Sequence, residues 1–145
     1  MSELASKTCV PCRGGVPPLA GRELEALAKQ VPQWTVVDGH HITRPFKFPD
    51  FVQALAFVNK VGAIAEEQGH HPDILLTWGK AEVTMWTHKI NGLTESDFIL
   101  AAKIDQVKHS LLARRMLGSG LSATDSTDPA SPEIHYVSTT AIALK

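Results

Sequence analysis

Residues 66-EEQGHHPDILLTWGKAEVTMWTH-88 are the most informative about the fold, because their pattern changes from helical to strand periodicity within a few positions. A helical pattern leads into this stretch from Pro49, and Gly69 stands where a left-handed helix C-cap is expected. The runs DILLTW and AEVTMWT then alternate apolar and polar side chains around Gly79-Lys80, a pair suited to a type II′ turn. The stretch therefore predicts a helix followed directly by a β-hairpin.

Similar elements are predicted on both sides of this stretch. The run GRELEALAKQVP has the period of a helix, and WTVVDGHHITRPFKF predicts a first hairpin that turns at Asp38-Gly39. Pro45 indicates that the second strand lies at an edge or ends nearby. The run LTESDFILAAKIDQVKHSLLARR predicts a last helix, with Thr94 and Asp97 in the arrangement of a capping box. The predicted fold class is α+β, a four-stranded antiparallel sheet with three helices on one face in the order α-β-β-α-β-β-α.

Apolar periodicity also predicts which helix faces are buried. The central helix is expected to bury the stripe Phe51, Leu55, Val58 and Ala65, widened by Val61 and Ile64. The last helix is expected to bury Leu100, Ile104, Val107 and Leu111.

Length and composition favour one folded domain. The chain has 145 residues, of which 43% are hydrophobic and 20% charged, as is usual for a globular protein. A formal net charge of −1 argues against a nucleic-acid surface, and no apolar run has the length of a membrane span. The N-terminus lacks a secretory signal, so a cytoplasmic location is predicted, or a plastid or mitochondrial one after removal of a transit peptide. We expect an extended arm at 1–20, a domain at 21–117, and a flexible linker and tail at 118–145.

The arm contains the only cysteines of the chain, Cys9 and Cys12, in a C-x-x-C pattern. A structural zinc site would need two more ligands, and the sequence has no second cysteine pair. A redox motif normally opens a helix, whereas this pair is followed by Gly-Gly and Pro-Pro. The pattern therefore favours a plain surface arm over a redox or metal site.

The predicted hairpin brings histidines together. If Gly79-Lys80 form the turn, continuing the register outward places His71 opposite His88. His70 lies at the junction with the preceding helix, and Glu66 lies one helical turn before it. We therefore expect His70, His71 and His88 to meet at one end of the sheet.

Such a cluster suits proton transfer near neutral pH, because neighbouring imidazoles tend to hold different protonation states. Metal binding and a set of merely exposed histidines are the competing interpretations, and catalysis is favoured over either. The remaining histidines are expected to be ordinary surface residues: His40 and His41 beside the first turn, His109 in the last helix and His135 in the tail. Trp34 is expected in the core or at its rim, and Trp86, which shares a face with His88, is a candidate wall for a flat ligand.

The motif E66-x-x-x-HHP, followed by Trp78, T87-H88 and Asp97, resembles that of the pterin-4a-carbinolamine dehydratases. The resemblance extends over about residues 19 to 108, through W34-T-V-V-D-G, F46-K-F-P-D-F and N91-G-L-T-E-S-D97. The CVPCRGGVPPL arm is similar to one on some bacterial and plastid members. A motif with this many separated parts is much more specific than a short pattern.

The resemblance implies an α+β fold and a hydro-lyase that removes water from 4a-hydroxytetrahydropterin, giving quinonoid dihydropterin for tetrahydropterin recycling. It implies no metal or organic cofactor, and a homodimer or homotetramer. His70, His71 and His88 would be the catalytic acid and base groups. Pro72 and Thr87 would shape the pterin site. The family also includes dehydratase-like factors that assist RuBisCO assembly, but these tend to lack the histidine pair, so a non-catalytic assembly or protein-binding role is the alternative.

Two acidic residues of the motif have alternative roles. Glu66 would contact the pterin ring or a histidine, or would be a solvated helix residue. Asp97 would orient an imidazole, cap the last helix, or do both. We therefore take Glu66, Pro72, Trp86, Thr87 and Asp97 as candidate substrate-binding residues.

Overall fold

The computed structural model describes residues 3–10 and 14–117, with side chains through residue 114. The helices are α1 (Gly21–Gln30), α2 (Phe51–Gln68) and α3 (Glu95–Leu117), and the strands are β1 (Thr35–Val37), β2 (His41–Lys47), β3 (Asp73–Thr77) and β4 (Lys80–Met85). Short 3-10 turns occur at Glu3–Ser6 and His88–Ile90. The predicted α+β fold and its order of elements are confirmed. Among the residues that the structure describes, none of the helices combines the length and the hydrophobicity of a membrane-spanning segment.

The strands form one antiparallel sheet in the order β1-β2-β4-β3, so the two hairpins meet where β2 pairs with β4. In that pairing Ile42 lies opposite Met85, and both side chains are buried. Beyond it, the same register places position 41 opposite position 86. The β1–β2 turn and the end of β4 are therefore neighbours, which matters for the site described below.

The register of the second hairpin differs from the prediction. Thr77 pairs with Lys80 and Leu76 with Ala81, so the turn residues are Trp78 and Gly79 rather than Gly79 and Lys80. Gly79 serves a close approach: Phe48 donates its N–H to the Gly79 carbonyl at 2.8 Å, and a Cβ on Gly79 would lie 3.0 Å from the Phe48 oxygen. A shift by two positions keeps each side chain on its predicted face, since the side-chain period of a strand is two.

The predicted pairing of His71 with His88 is therefore wrong. Continued outward from β3, the observed register places position 71 opposite position 86. His88 lies beyond β4, in the 3-10 turn His88–Ile90.

The ends of α2 form as predicted, and its predicted buried face is confirmed only in part. The Asp50 carboxylate accepts a hydrogen bond from the Gln53 N–H at 2.8 Å, and Gly69 ends the helix in the left-handed region at φ 62°. The buried stripe is Ala54, Phe57, Val61 and Ala65. Of the predicted face, Val61 and Ala65 are thus buried, and Val58 and Ile64 pack partly buried against the core, whereas Phe51 and Leu55 are 43% and 39% exposed. The helix is apolar around much of its circumference, so periodicity alone could not select the face that meets the sheet.

Of the two alternatives that Pro45 indicated, the nearby strand end is confirmed, because β2 ends at Lys47, but β2 is not an edge strand, because it lies between β1 and β4. β1 pairs with β2 only as far as Thr43. At Pro45 the β1 side of the strand is thus open, which suits a residue without an N–H to donate.

The predicted face of α3 is buried. Leu100 and Ile104 are fully buried, and Val107 and Leu111 pack partly buried against the core. Trp34 is a core residue, 6% exposed, whose indole N–H donates to Asp105 of α3 at 2.9 Å. Arg44 makes an ion pair with the same carboxylate. Burial nevertheless raises the pKa of the Asp105 carboxyl, while the contacts to Trp34 and Arg44 oppose that rise.

The described part of the N-terminal arm packs onto α3 and is not a plain surface segment. Leu4, in the 3-10 turn Glu3–Ser6, is 1% exposed, and Cys9 is 6% exposed. The Cys9 N–H donates to the Gln68 side chain at 3.0 Å, and its thiol to the Ser96 carbonyl at 3.5 Å. Both contacts are remote in sequence, which explains why the local pattern did not predict them.

Three sequence-based predictions lie outside the described residues: the state of Cys12, the linker and tail at 118–145, and His135 within that tail. The proposed boundaries at residues 20 and 117 also stay predictions.

Burial raises the pKa of the Cys9 thiol, so little thiolate is expected at neutral pH. We expect Cys9 in the folded protein to resist iodoacetamide at pH 7.5 and to react once the chain is unfolded in guanidinium chloride. Peptide mass spectrometry after each labelling reads this directly. Rapid alkylation of Cys9 in the folded protein would contradict its burial against Ser96.

Candidate active site

The site is organised around Asp97, a fully buried carboxylate in the first turn of α3. Its Oδ2 accepts hydrogen bonds from the Thr94 N–H at 2.8 Å and from the Thr87 and Thr94 hydroxyls at 3.0 and 3.3 Å. The Thr94 contact is the carboxylate half of a capping box, as the spacing predicted. Because Oδ2 is held by these donors, Oδ1 is left to face another partner.

That partner is His70. Its Nε2 lies 2.6 Å from Asp97 Oδ1, and its side chain is only 14% exposed. His70 follows the Gly69 cap, and its backbone N–H bonds the Ala65 carbonyl, so the end of α2 fixes its position. An ionised carboxylate only accepts, so Nε2 carries the hydrogen, and no hydrogen bond to Nδ1 is formed by the residues that the structure describes. The capping and imidazole-orienting geometries expected as alternatives for Asp97 are present together.

His71 has a different environment. Its Nε2 lies 2.6 Å from the Glu66 carboxylate, one turn back along α2, and the two side chains are 61% and 79% exposed. Exposed ion pairs contribute about 0–1 kcal/mol, so this contact orients His71 only weakly. Pro72 separates His71 from the start of β3 at Asp73. The two adjacent histidines thus differ sharply in burial and in the strength of their carboxylate partner.

His88 is exposed and contacts the Trp86 ring edge-on, with centroids 4.4 Å apart and an interplanar angle of 84°. Within the described ranges, no hydrogen bond or ring contact joins His88 to His70 or His71. The connection is indirect. Thr87, the residue before His88, is bound to the same Asp97 carboxylate that holds His70.

Asp97 therefore connects the two segments that carry the site histidines, which the predicted register of the second hairpin had placed side by side. One segment follows α2 and carries His70, and the other follows β4 and carries Thr87 and His88. The two segments therefore lie close together although the predicted pairing of His71 with His88 is wrong. The contact between them runs through Asp97 at the start of α3.

Sequence reasoning missed one neighbourhood. The sequence predicts that His40 and His41 are ordinary surface residues, but both rings contact Trp86, at centroid distances of 5.7 and 6.2 Å. His40 Nε2 also lies 2.9 Å from the Asn91 side-chain oxygen. The signal that could have revealed this is the β2–β4 pairing, which sequence periodicity does not give. His109 is exposed on α3, as expected.

The metal alternative has no geometric counterpart in the described part of the chain. No group of three or more His, Cys, Asp or Glu side chains there is arranged to hold a metal ion. The described residues do provide a buried carboxylate–imidazole pair and two exposed imidazoles, which can donate or accept protons.

Comparison with known proteins identifies the family. Residues 17–107 match the family model described as pterin 4 alpha carbinolamine dehydratase. This chain belongs to the pterin-4a-carbinolamine dehydratase family. The resemblance carried by the histidine motif is thereby confirmed, and the matched range contains every site residue described above.

Relatives of this dehydratase-family chain cover between about three fifths and three quarters of its length. A Rubrobacter xylanophilus protein provisionally named pterin-4-alpha-carbinolamine dehydratase is 65% identical over 107 residues, 74% of this chain and 100% of the relative. A protein of the same provisional name from Alkaliphilus metalliredigens is 50% identical over 107 residues, 73% of this chain and 96% of the relative. The crystal structure of a transcriptional coactivator/pterin dehydratase from Brucella melitensis is 35% identical, with a TM-score of 0.59 over 62% of this chain and 97% of that one.

Proposed function

We propose that this protein is a hydro-lyase that converts 4a-hydroxytetrahydropterin to quinonoid dihydropterin and water, using histidines as general acid and base. Membership of the pterin-4a-carbinolamine dehydratase family supports the reaction. The observation that carries the proposal is the buried Asp97 carboxylate, which binds both His70 and Thr87, the neighbour of His88.

The reaction requires two proton transfers. The C4a–O bond breaks and the hydroxyl leaves as water after receiving a proton, while the N5 proton is removed and the N5–C4a double bond forms. No electrons are exchanged with a cofactor in this balance. One donor and one acceptor near the pterin are sufficient, and imidazole supplies either near neutral pH.

His70 is suited to a fixed role because its partner fixes its tautomer. With Nε2–H donated to Asp97, the ring offers Nδ1 as an acceptor when neutral. Asp97 thus acts as a positioning residue for His70. His71 and His88 are the exposed candidates for the complementary transfer. Our proposal assigns the acid and the base to the set of three histidines and does not assign either role to a single residue.

The other candidate residues would bind the pterin. The Trp86 indole offers a flat surface beside His88, Thr87 lies in the same segment as His88, and Pro72 follows His71. Glu66 would act through His71, with which it is paired. Together these residues are suited to a flat bicyclic ring.

Assembly and location belong to the same proposal. Within the described residues, the outer edges of β1 and β3 pair with no other strand, which supports a homodimer or homotetramer, since free strand edges invite pairing with another chain. On β3, Leu75 is 58% exposed. Light scattering on the purified chain distinguishes these states from a monomer. The cytoplasmic location stays a prediction.

The deciding experiment is the rate at which 4a-hydroxytetrahydropterin loses water, followed by ultraviolet absorbance, with purified protein and with buffer alone. We expect a rate at least about a hundredfold above buffer, the lower range for positioned acid–base catalysis. The variant His109→Ala, altered at an exposed histidine far along α3, is the matched control and should equal the parent. A parent rate equal to buffer would contradict the proposal and favour a non-catalytic assembly or protein-binding role.

A further inference from the structure

The 3-10 turn that carries His88 is supported from the β1–β2 hairpin, and this support is not part of the dehydratase motif. Its members are His40, His41, Trp86 and Asn91, which we call the Trp86 brace. The Asp38-Gly39 turn, with φ of 51° and 62°, presents His40 next to the end of β4. The hairpin thereby reaches a segment remote in sequence.

The hydrogen bonds of the brace run in one direction. The Asn91 oxygen only accepts, so His40 Nε2 donates to it at 2.9 Å. In a neutral His40 ring Nδ1 is then an acceptor, and His41 Nδ1, at 3.1 Å, is its donor. The chain of donors therefore leads from His41 through His40 to Asn91.

Asn91 is placed to transmit this support to His88. It ends the 3-10 turn in the left-handed region, at φ 51° and ψ 49°, and its N–H bonds the His88 carbonyl at 3.2 Å. On its far side, Gly92 packs so closely against Pro18 that a Cβ would lie 2.7 Å from the proline Cβ. The turn is thus held at its end between the hairpin and the arm.

Trp86 also supports His88, through a direct contact between the two rings. Both brace histidines contact its ring, and its ring in turn contacts His88 at 4.4 Å. His88 is exposed and, within the described residues, has no side-chain hydrogen bond of its own, so this ring contact is what limits its rotation.

We propose that His40 and Asn91 are positioning residues for His88, holding Trp86 and the 3-10 turn so that the His88 ring presents one orientation to the substrate. The inference rests on the proposed role of His88 in dehydration. A misplacement of about 1 Å at a reacting group can cost about a hundredfold in rate, so even partial loosening is measurable.

The test compares Asn91→Gly, which keeps the left-handed backbone accessible but removes the acceptor, with Asn91→Asp, which keeps an acceptor oxygen. The pair His40→Ala and His40→Phe separates the hydrogen bond from ring packing on Trp86, and His109→Ala is the control. The first readout is the NMR signal of the His88 ring, which we expect the indole ring 4.4 Å away to displace from the position of free histidine. The second is the separate measurement of kcat and KM.

We expect Asn91→Gly and His40→Ala to move the His88 signals toward free histidine and to lower kcat about tenfold, with KM within about twofold. Asn91→Asp should retain the parent signals and rate, and His40→Phe should lie between. Parent-like His88 signals and kcat in Asn91→Gly, with a lost rate in His88→Ala, would overturn this inference alone. A parent rate in His88→Ala would overturn the proposed role of His88 and, with it, the catalytic purpose of the brace.

Discussion

Replacing His88 by alanine is expected to slow dehydration of 4a-hydroxytetrahydropterin by about a hundredfold or more, because the variant lacks one of the groups that transfer a proton. His88 is exposed and its ring contact is with Trp86, so the substitution removes little buried surface. The thermal midpoint should therefore change by no more than a few degrees. A large loss of rate without a loss of fold separates chemistry from structure.

The measurement is kcat/KM across pH 5.5 to 9 for the parent, His88→Ala and His71→Ala. If one imidazole donates and another accepts, the parent should show a bell-shaped profile. Each variant should then be slower by about a hundredfold, and the variant that lacks the group complementary to His70 should also lose one limb of the bell. Near-parent rates in both variants would contradict the proposed roles, even if the protein is an active dehydratase.

His71 gives a useful comparison because its environment is the opposite of that of His70. Its Glu66 partner is 79% exposed, so Glu66→Gln should affect the rate much less than loss of the imidazole itself. Variants at the two adjacent histidines therefore test different hypotheses. A variant at His71 tests how much an exposed, weakly oriented imidazole contributes to the rate, and a variant at His70 tests how much a buried, firmly oriented one contributes.

The fold was largely predictable because each element has a local signal. The Asp50 cap and the Gly69 C-cap bound α2, and the Asp38-Gly39 dipeptide marks the first turn. These signals depend on a few neighbouring residues and on backbone sterics, which sequence patterns report well.

What could not be predicted depends on contacts between remote segments. Gly79 occupies the second turn position because the Phe48 backbone packs against it, and no residue near Gly79 in the sequence indicates this contact with Phe48. In α2, Leu55 was as plausible a core residue as Ala54, and only the position of the sheet decides between them. The arm residue Leu4 enters the core for the same reason, through packing on α3.

The candidate site shows the same division. The motif identified His70, His71, His88 and Asp97, but the sequence suggested that a cross-strand pair joined the histidines. The observed link is the Asp97 carboxylate, which reaches both His70 and Thr87. A residue type with two acceptor oxygens at a helix start can serve a cap and a catalytic group at once, and spacing alone indicated only the cap.

Substituting Asp97 by asparagine is expected to lower kcat by about a hundredfold or more while leaving a folded protein, because it reverses the hydrogen-bond polarity at His70. The Thr94 N–H and the Thr87 and Thr94 hydroxyls surround the present Oδ2, so the asparagine oxygen should take that position. Its NH₂ group would then face His70. The imidazole nitrogen that now donates would have to accept, and the proton would move to the other nitrogen.

The Nδ1 nitrogen of His70 would thus carry a hydrogen in the variant and could no longer accept a proton. The sharper control is Asp105→Asn, at another aspartate of α3 that is bound to Trp34 and Arg44. That variant should lower the unfolding midpoint, since it breaks a partly buried ion pair, but should leave kcat per folded molecule near the parent value. If Asp97→Asn behaved in the same way, with reduced stability and unchanged kcat, Asp97 would be a helix cap alone, and His70 would need no fixed tautomer for the reaction.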